Sequence, residues 1–284
     1  MHSVADVGVS CRANGLAPLQ QFALNDRLAN YGDGTFTTMR VSEGKVALLN
    51  RHIDRLVNDS QALGLTVNAG AIRQVIAAAL PERNDGVLKV LIGAGQGGRG
   101  YARLAEPKVN VAVSWHDVPA IYQSWQQQGI HVGTVPVTLA RQPLLAGLKH
   151  ANRLEQVFIK QALGKTDFDD AIVTDTEQNV IEASAANLFW LAGRQWFTSS
   201  LALAGVNGVM RQFILDHCPE IHIIEQQLTE IAHVDAMFLS NALMQIVPVK
   251  TLTLGESKRE LAIAPVLALQ KSLAPVYAGE YGAA

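Results

Sequence analysis

Thr35-Phe36-Thr37-Thr38-Met39-Arg40-Val41, then Ser42-Glu43-Gly44, then Lys45-Val46-Ala47-Leu48-Leu49, is the stretch from which the fold can be read outward. A β-branched and aromatic run, a turn and a returning apolar run read as two strands around a tight turn. Helical spacing follows twice, through Ile53, Leu56, Val57 and Leu63, then through Ile72, Val75, Ile76, Ala79 and Leu80. Strand-like residues 87–92 and 109–115 come next, joined by a glycine-rich segment. Strands and helices thus interleave without strict βαβ alternation, which predicts α+β (α/β) domains rather than one doubly wound sheet.

The pattern breaks around Pro119. The reading is an N-terminal α/β domain over residues 1–115, a linker over 116–124, and a larger domain over 125–284. In the larger domain, strands are expected at 130–139, 170–174, 180–182, 187–191, 221–225, 236–240 and 247–254. Helices are expected at 152–163, from near Gly208, and from about Lys258 to the C-terminal end. A cleft between two such domains is the default place for a ligand.

Composition narrows the class. The 284 residues are 49% hydrophobic and 17% charged, enough for a sizeable core. With 23 basic and 25 acidic residues the net charge is −2, so there is no overall basic face and no nucleic-acid partner is expected. Cys11 and Cys218 are the only cysteines, which leaves no disulfide framework. His217, Cys218 and His222 are interrupted by Pro219 and lack a fourth ligand, so no metal is expected. Asp169-Asp170 reads as a turn before a strand. The first fifteen residues lack a basic start followed by a long apolar run, and no apolar stretch approaches bilayer length. These features point to a cytoplasmic protein with no membrane partner.

Gly93-Ala94-Gly95-Gln96-Gly97-Gly98 satisfies G-x-G-x-x-G after an apolar strand. A dinucleotide fingerprint needs a helix to open at its third glycine. Here Arg99-Gly100-Tyr101-Ala102-Arg103, Pro107 and another strand follow, so the segment is a strand–loop–strand connection. It either presents Arg99 and Tyr101 to a substrate carboxylate or is a plain surface loop.

One of the nine lysines has an unusual setting: Lys149, in Pro143-Leu144-Leu145-Ala146-Gly147-Leu148-Lys149-His150-Ala151-Asn152-Arg153-Leu154. Apolar neighbours that desolvate an amine lower its pKa and free it as nucleophile or base; neighbours in sequence only would leave an ordinary solvated lysine. Ala204-Gly205-Val206-Asn207-Gly208-Val209-Met210-Arg211 is a loop opening a helix, read either as an anion site or as a turn capped by Asn207. Arg55 is either a clamp for the same anion or an exposed helix arginine. Glu182, among apolar strand residues, needs a cation if buried and is an edge charge if not. Amine, anion cradle, arginine and buried acid are together the parts of a pyridoxal phosphate site.

Several motifs carry a family resemblance. They are Asn25-Asp26-Arg27, residues 31–40, His52-Ile53-Asp54-Arg55-Leu56, Gly97-Gly98-Arg99-Gly100-Tyr101 and residues 147–156. To these are added residues 182–189 and 205–211, and Leu239-Ser240-Asn241-Ala242. By these the chain resembles the branched-chain-aminotransferase-like, fold-type IV pyridoxal phosphate enzymes from about Asn14 onward. The resemblance implies two domains, a small N-terminal α/β domain and a larger mixed α/β pseudo-barrel, working as a homodimer. It implies Lys149 as the Schiff-base residue, Glu182 on the pyridine nitrogen, Arg55 on the phosphate, and Val206 and Asn207 offering backbone N–H groups to it. Ala242 stands where relatives place a phosphate-binding threonine, with Asn241 as its substitute; Leu154 stands near a tyrosine position. The Lys-His-x-Asn-Arg-Leu-Glu-Gln run and the Gly-Gly-Arg-Gly-Tyr loop resemble the lyase branch. That branch converts 4-amino-4-deoxychorismate to 4-aminobenzoate and pyruvate, towards folate. In that reading Lys149 removes the ring proton, Thr38 or the lysine returns one to the departing enolpyruvate, and Arg99, Tyr101 and Arg153 hold the two carboxylates. The alternatives are a transaminase of the same fold acting on D- or branched-chain amino acids, and a catalytically silent scaffold.

Overall fold

In the computed structural model, which describes residues 21–284, the chain divides into two compact units. The first runs to Val118 and takes in Lys149–Asn152 and Tyr277–Ala284; the second holds Pro119–Leu148 and Arg153–Val276. Cys11, Asn14 and the first fifteen residues, in which no secretion pattern is expected, lie outside the described residues.

The first unit starts with α1 (Arg27–Tyr31), whose orphan N–H groups at Leu28 and Ala29 are capped by Asp26. The hairpin follows as β1 (Gly34–Ser42) and β2 (Lys45–Ala47). Then come α2 (Leu49–Ala62), α3 (Ala69–Ala79), β3 (Gly86–Gly93) and β4 (Asn110–His116). β1 alternates as a half-covered strand must: Thr35, Thr37, Met39 and Val41 are buried, while Phe36, Thr38 and Arg40 lie on the other face. Met39, Val41, Leu88, Val90 and Ile92 pack with Ile53, Leu56, Ile72 and Ile76 in one core. β1 pairs antiparallel with β3 along Gly34–Val41, but β2 covers its other edge only at Val41 and Ser42. The open part of that edge is taken by the Lys149–Asn152 segment, through a bridge between Thr35 and His150 and the Ala151 N–H donated to the Gly34 carbonyl at 2.8 Å. The C-terminal Tyr281–Gly282 pairs with β2 and completes five strands.

The second unit contains α4 (Ile121–Gln128), β5 (Ile130–Thr134), α5 (Leu154–Leu163), β6 (Asp170–Thr174), β7 (Val180–Ala183), β8 (Asn187–Ala192) and β9 (Gln195–Ser199). It continues with α6 (Val209–His217), β10 (His222–Ile224), β11 (Ala236–Asn241), β12 (Gln245–Leu254), β13 (Ser257–Glu260) and α7 (Ala264–Gly279), whose last residues belong to the first unit. Nine strands form a mixed sheet in the order β10-β9-β8-β11-β12-β5-β6-β7, with β13 on β12. β7, at one end of that path, lies against β8 and β9 near the other, so the sheet curls as a pseudo-barrel. Ile130, Val132, Ile172, Leu188, Trp190, Met237, Leu239, Val247 and Val249 form its core, beside a stacked Phe189–Phe238 pair.

The chain departs from the sequence reading in four places. The expected 130–139 strand stops at Thr134, because Pro136 brings no N–H to a ladder. The interval read as linker does contain the unit boundary, at Val118–Pro119, but it also holds the start of α4 at Ile121. The C-terminal helix begins at Ala264, not Lys258, because Ser257–Glu260 first returns along β12 as β13 after the turn at Gly255. Lys149–Asn152 and Tyr277–Ala284 belong to the first unit, since main-chain pairing rather than chain order decides membership.

Candidate active site

Lys149 is held by its main chain on both sides. Its N–H donates to Asp59 Oδ2 at 2.9 Å, and its carbonyl accepts from the Phe36 N–H at 3.1 Å and Thr35 Oγ1 at 3.0 Å. Its Nζ sits 4.6 Å from the centre of the Phe36 ring, a cation–π contact. The apolar flank read from the sequence does not supply this cover. Leu144 is 83% exposed, and the aromatic face comes from β1, more than a hundred residues earlier in the chain.

Arg55 is buried on α2 with Nη1 3.7 Å from Asp59 Oδ2. One turn earlier, His52 is fully enclosed, with Nδ1 2.6 Å from Thr37 Oγ1. Burial first, then the positive charges of Arg55 and Lys149, depress its pKa to about 3, so the imidazole stays neutral near two cations. Thr38 lies on the opposite face of β1 from Thr37, the face that carries Phe36. Its neighbour on β3 is Lys89, whose Nζ is 5.0 Å from the same Phe36 ring and whose ammonium is pushed below the ordinary lysine range by burial. The first unit therefore gathers Lys149, Phe36, Thr38 and Lys89 along one face of β1, with Arg55, His52 and Asp59 behind it.

Arg99 and Tyr101 lie on the exposed loop between β3 and β4, Tyr101 88% exposed. The loop is braced from within. The buried Arg27 donates to the carbonyls of Gly100, Tyr101 and Ala102 at 3.2, 2.8 and 3.0 Å, and pairs with Asp33, which also receives Arg103. Burial alone would raise the Asp33 carboxyl, but hydrogen bonds from Arg103 and Arg27 hold it below the usual carboxylate range. Arg27 and Asp33 thus hold the loop from within and leave Arg99 and Tyr101 on its exposed side.

In the second unit Glu182 is 6% exposed on β7, and its Oε2 accepts the Val206 N–H at 2.8 Å. Gly205 lets the loop approach so closely: its φ is +84°, and a Cβ there would stand 2.6 Å from Ile181 Cγ2. The Asn207 N–H donates to the Gly147 carbonyl at 2.9 Å, and Asn207 Oδ1 accepts from Arg211 at 2.9 Å. Asn187 locks the same loop, donating to the Val206 carbonyl at 2.8 Å and accepting the Gly208 N–H at 3.1 Å. The two amides expected to face a phosphate are thus engaged with protein oxygens here, the buried Glu182 carboxylate and the half-buried Gly147 carbonyl. Arg153 Nη2 donates to the Leu148 carbonyl at 2.9 Å, across the base of the Lys149–Asn152 excursion. Asn241 closes the turn between β11 and β12: its Oδ1 accepts from Leu243 and Met244, and its Nδ2 donates to Ala185.

Sequence reasoning passed over Asp59, His52, Lys89, Asn187 and Arg27 as site residues. Lys89 had a legible signal, a lysine inside an otherwise apolar strand, as did Asp59, an acid one helical turn beyond Arg55. The donor set suits pyridoxal phosphate. The first unit holds an amine under an aromatic ring and a buried guanidinium, and the second holds a buried carboxylate.

Comparison with known proteins gives these groups a family. Residues 34–252 match the family described as amino-transferase class IV, and the chain belongs to it. Within that class it is 34% identical over 258 residues to the aminodeoxychorismate lyase of Vibrio harveyi, covering 88% of this chain and 94% of that one. The crystal structure of 4-amino-4-deoxychorismate lyase from Pseudomonas aeruginosa superposes with a TM-score of 0.84 at 32% identity, covering 92% of this chain and 97% of that one. The PLP-bound form of a hypothetical aminotransferase from Mycobacterium tuberculosis shares the fold, with a TM-score of 0.75 at 19% identity over 89% of this chain and 93% of that one.

Proposed function

We infer that the chain is a pyridoxal phosphate-dependent lyase that converts 4-amino-4-deoxychorismate to 4-aminobenzoate and pyruvate. The observation that carries this reading is 34% identity to a lyase of that name over nearly the whole length of both chains. When bound, pyridoxal phosphate supplies an aldehyde for the substrate amine and a ring that takes up electron density from C4. Lys149 would hold the cofactor at rest, and with substrate bound its Nζ would take up the C4 proton of the substrate. The bond from the ring to the enolpyruvyl oxygen then breaks, and the ring becomes aromatic. Lys149, now an ammonium, or the Thr38 hydroxyl delivers a proton to the methylene carbon of the departing enolpyruvate, which leaves as pyruvate. Arg55 binds the phosphate, and Glu182 keeps the pyridine nitrogen protonated.

Val206 and Asn207 can offer their N–H groups to a phosphate only by exchanging their present acceptors, and Asn241 retains one Nδ2 hydrogen for the same purpose. Arg99, Tyr101 and Arg153 hold the substrate carboxylates, with Lys89 a further cation on the Lys149 face. Among the described residues no helix is long and apolar enough to cross a membrane. The same reading places the enzyme in the cytoplasm as a homodimer.

The test is incubation with 4-amino-4-deoxychorismate and no keto acid. Stoichiometric 4-aminobenzoate and pyruvate over many turnovers are expected, with borohydride fixing the cofactor on Lys149 and Lys149→Ala inactive. Conversion that stops after one equivalent of cofactor would identify a transaminase acting on D- or branched-chain amino acids instead.

A further inference from the structure

We propose that Asp59 is a positioning residue, whose carboxylate fixes the main chain of Lys149 and so sets where the lysine amine can reach. The proposal rests on the reading of Lys149 as the Schiff-base residue and adds what holds it. Asp59 is buried on α2, and one of its oxygens gathers three groups. It accepts the Lys149 N–H at 2.9 Å, lies 3.3 Å from Thr35 Oγ1, and stands 3.7 Å from Arg55 Nη1. The Thr35 hydroxyl also reaches the Lys149 carbonyl at 3.0 Å, so its single proton is shared between Asp59 and the residue that Asp59 holds.

A backbone N–H on a carboxylate is a charge-assisted bond, short and strong. The lysine chain has four rotatable carbon–carbon bonds, so the volume its amine samples is set by where its Cα is fixed. A reacting group displaced by about 1 Å costs on the order of a hundredfold in rate. By binding both Arg55 and the Lys149 main chain through one oxygen, Asp59 ties the phosphate ligand and the amine to a single turn of α2.

The competing role, a mere counter-ion for Arg55, makes a different prediction. Asp59→Asn keeps an oxygen for the Lys149 N–H and loses the charge; Asp59→Ala loses both. Backbone hydrogen exchange of the full-length, cofactor-loaded protein is followed by mass spectrometry on peptides ending on either side of Lys149. In Asp59→Asn the Lys149 amide is expected to exchange within about threefold of the parent rate, and in Asp59→Ala about tenfold faster or more. The kcat of Asp59→Ala falls about 10- to 100-fold with KM nearly unchanged, and Asp59→Asn recovers most of it. Unchanged exchange in Asp59→Ala, or equal impairment of both variants, overturns the proposal. If Asp59→Ala does not fold, Asp59→Asn decides: parent-like exchange and kcat support it, and accelerated exchange with lost kcat refutes it. Borohydride labelling of a different lysine would overturn the Lys149 reading itself, whereas a label on Lys149 with unchanged exchange removes Asp59 alone.

Discussion

At the scale of single residues, enclosure moves the charge states of His52 and Lys89. His52 is the sharpest case. The unfolded chain takes up a proton there near pH 6.5, but the folded chain does so only at about pH 3. Above pH 6.5 the imidazole is neutral in both states and has no pH-dependent effect. As the pH falls through the interval the unfolded state binds the extra proton, and folding stability drops by about 1.4 kcal/mol per pH unit. Urea midpoints measured from pH 7 to pH 4.5 should therefore fall more steeply in the parent than in His52→Asn, and parallel slopes would contradict the assignment. The burial of Arg55 and Glu182 is one of two readings their sequence settings leave open, and the roles proposed for them and for Lys149 come from motif resemblance rather than from residue type. His52 acts through enclosure, which leaves no trace in spacing; Asp59 shows there only as an acid one turn beyond Arg55, and its main-chain contact with Lys149 does not show.

At the scale of elements, short strands were the hardest to read and long periodic ones the easiest. β1, β3, α2 and α3 follow their hydrophobic periods closely, because each buries a full face in a core shared within its own unit. β13 and the Tyr281–Gly282 strand are two to four residues long and owe their state to the partner they pair with, which no local window contains. The same holds for the Lys149–Asn152 segment, which looks like a helix approach in sequence and is a strand edge in space. Its seat depends on Gly34. A Cβ there would stand 2.1 Å from the Ile92 carbonyl, while the Gly34 carbonyl receives the Ala151 N–H. Gly34→Ala must push β1 off β3, so we expect a loss of about 2 kcal/mol or more in urea unfolding. Faster release of the cofactor on dialysis should accompany it. A variant as stable as the parent would contradict so close an approach of β1 to β3.

At the scale of the whole molecule, α5 carries an apolar stripe that its own unit leaves uncovered. Leu154, Val157 and Phe158, at helical spacing on one face, are 71%, 46% and 55% exposed. Such a stripe suits a second copy of the chain, in keeping with the homodimer proposed above. Phe158→Glu should shift the mass measured by light scattering from two chains to one at micromolar concentration; an unchanged dimer would move the interface elsewhere.

The excursion at Lys149 bears also on biosynthesis. The hydrogen bond from Thr35 to the Lys149 carbonyl closes 114 residues of chain. At about 5–20 residues per second of translation, the β1 hairpin emerges several seconds before the segment it must receive. Throughout that interval the nascent first unit presents a bare strand edge, open to pairing with another polypeptide. Lys149 is thus delivered late to a seat made early, so a chain cut short before residue 149 is expected to be prone to aggregate and, on the function proposed above, unable to load cofactor.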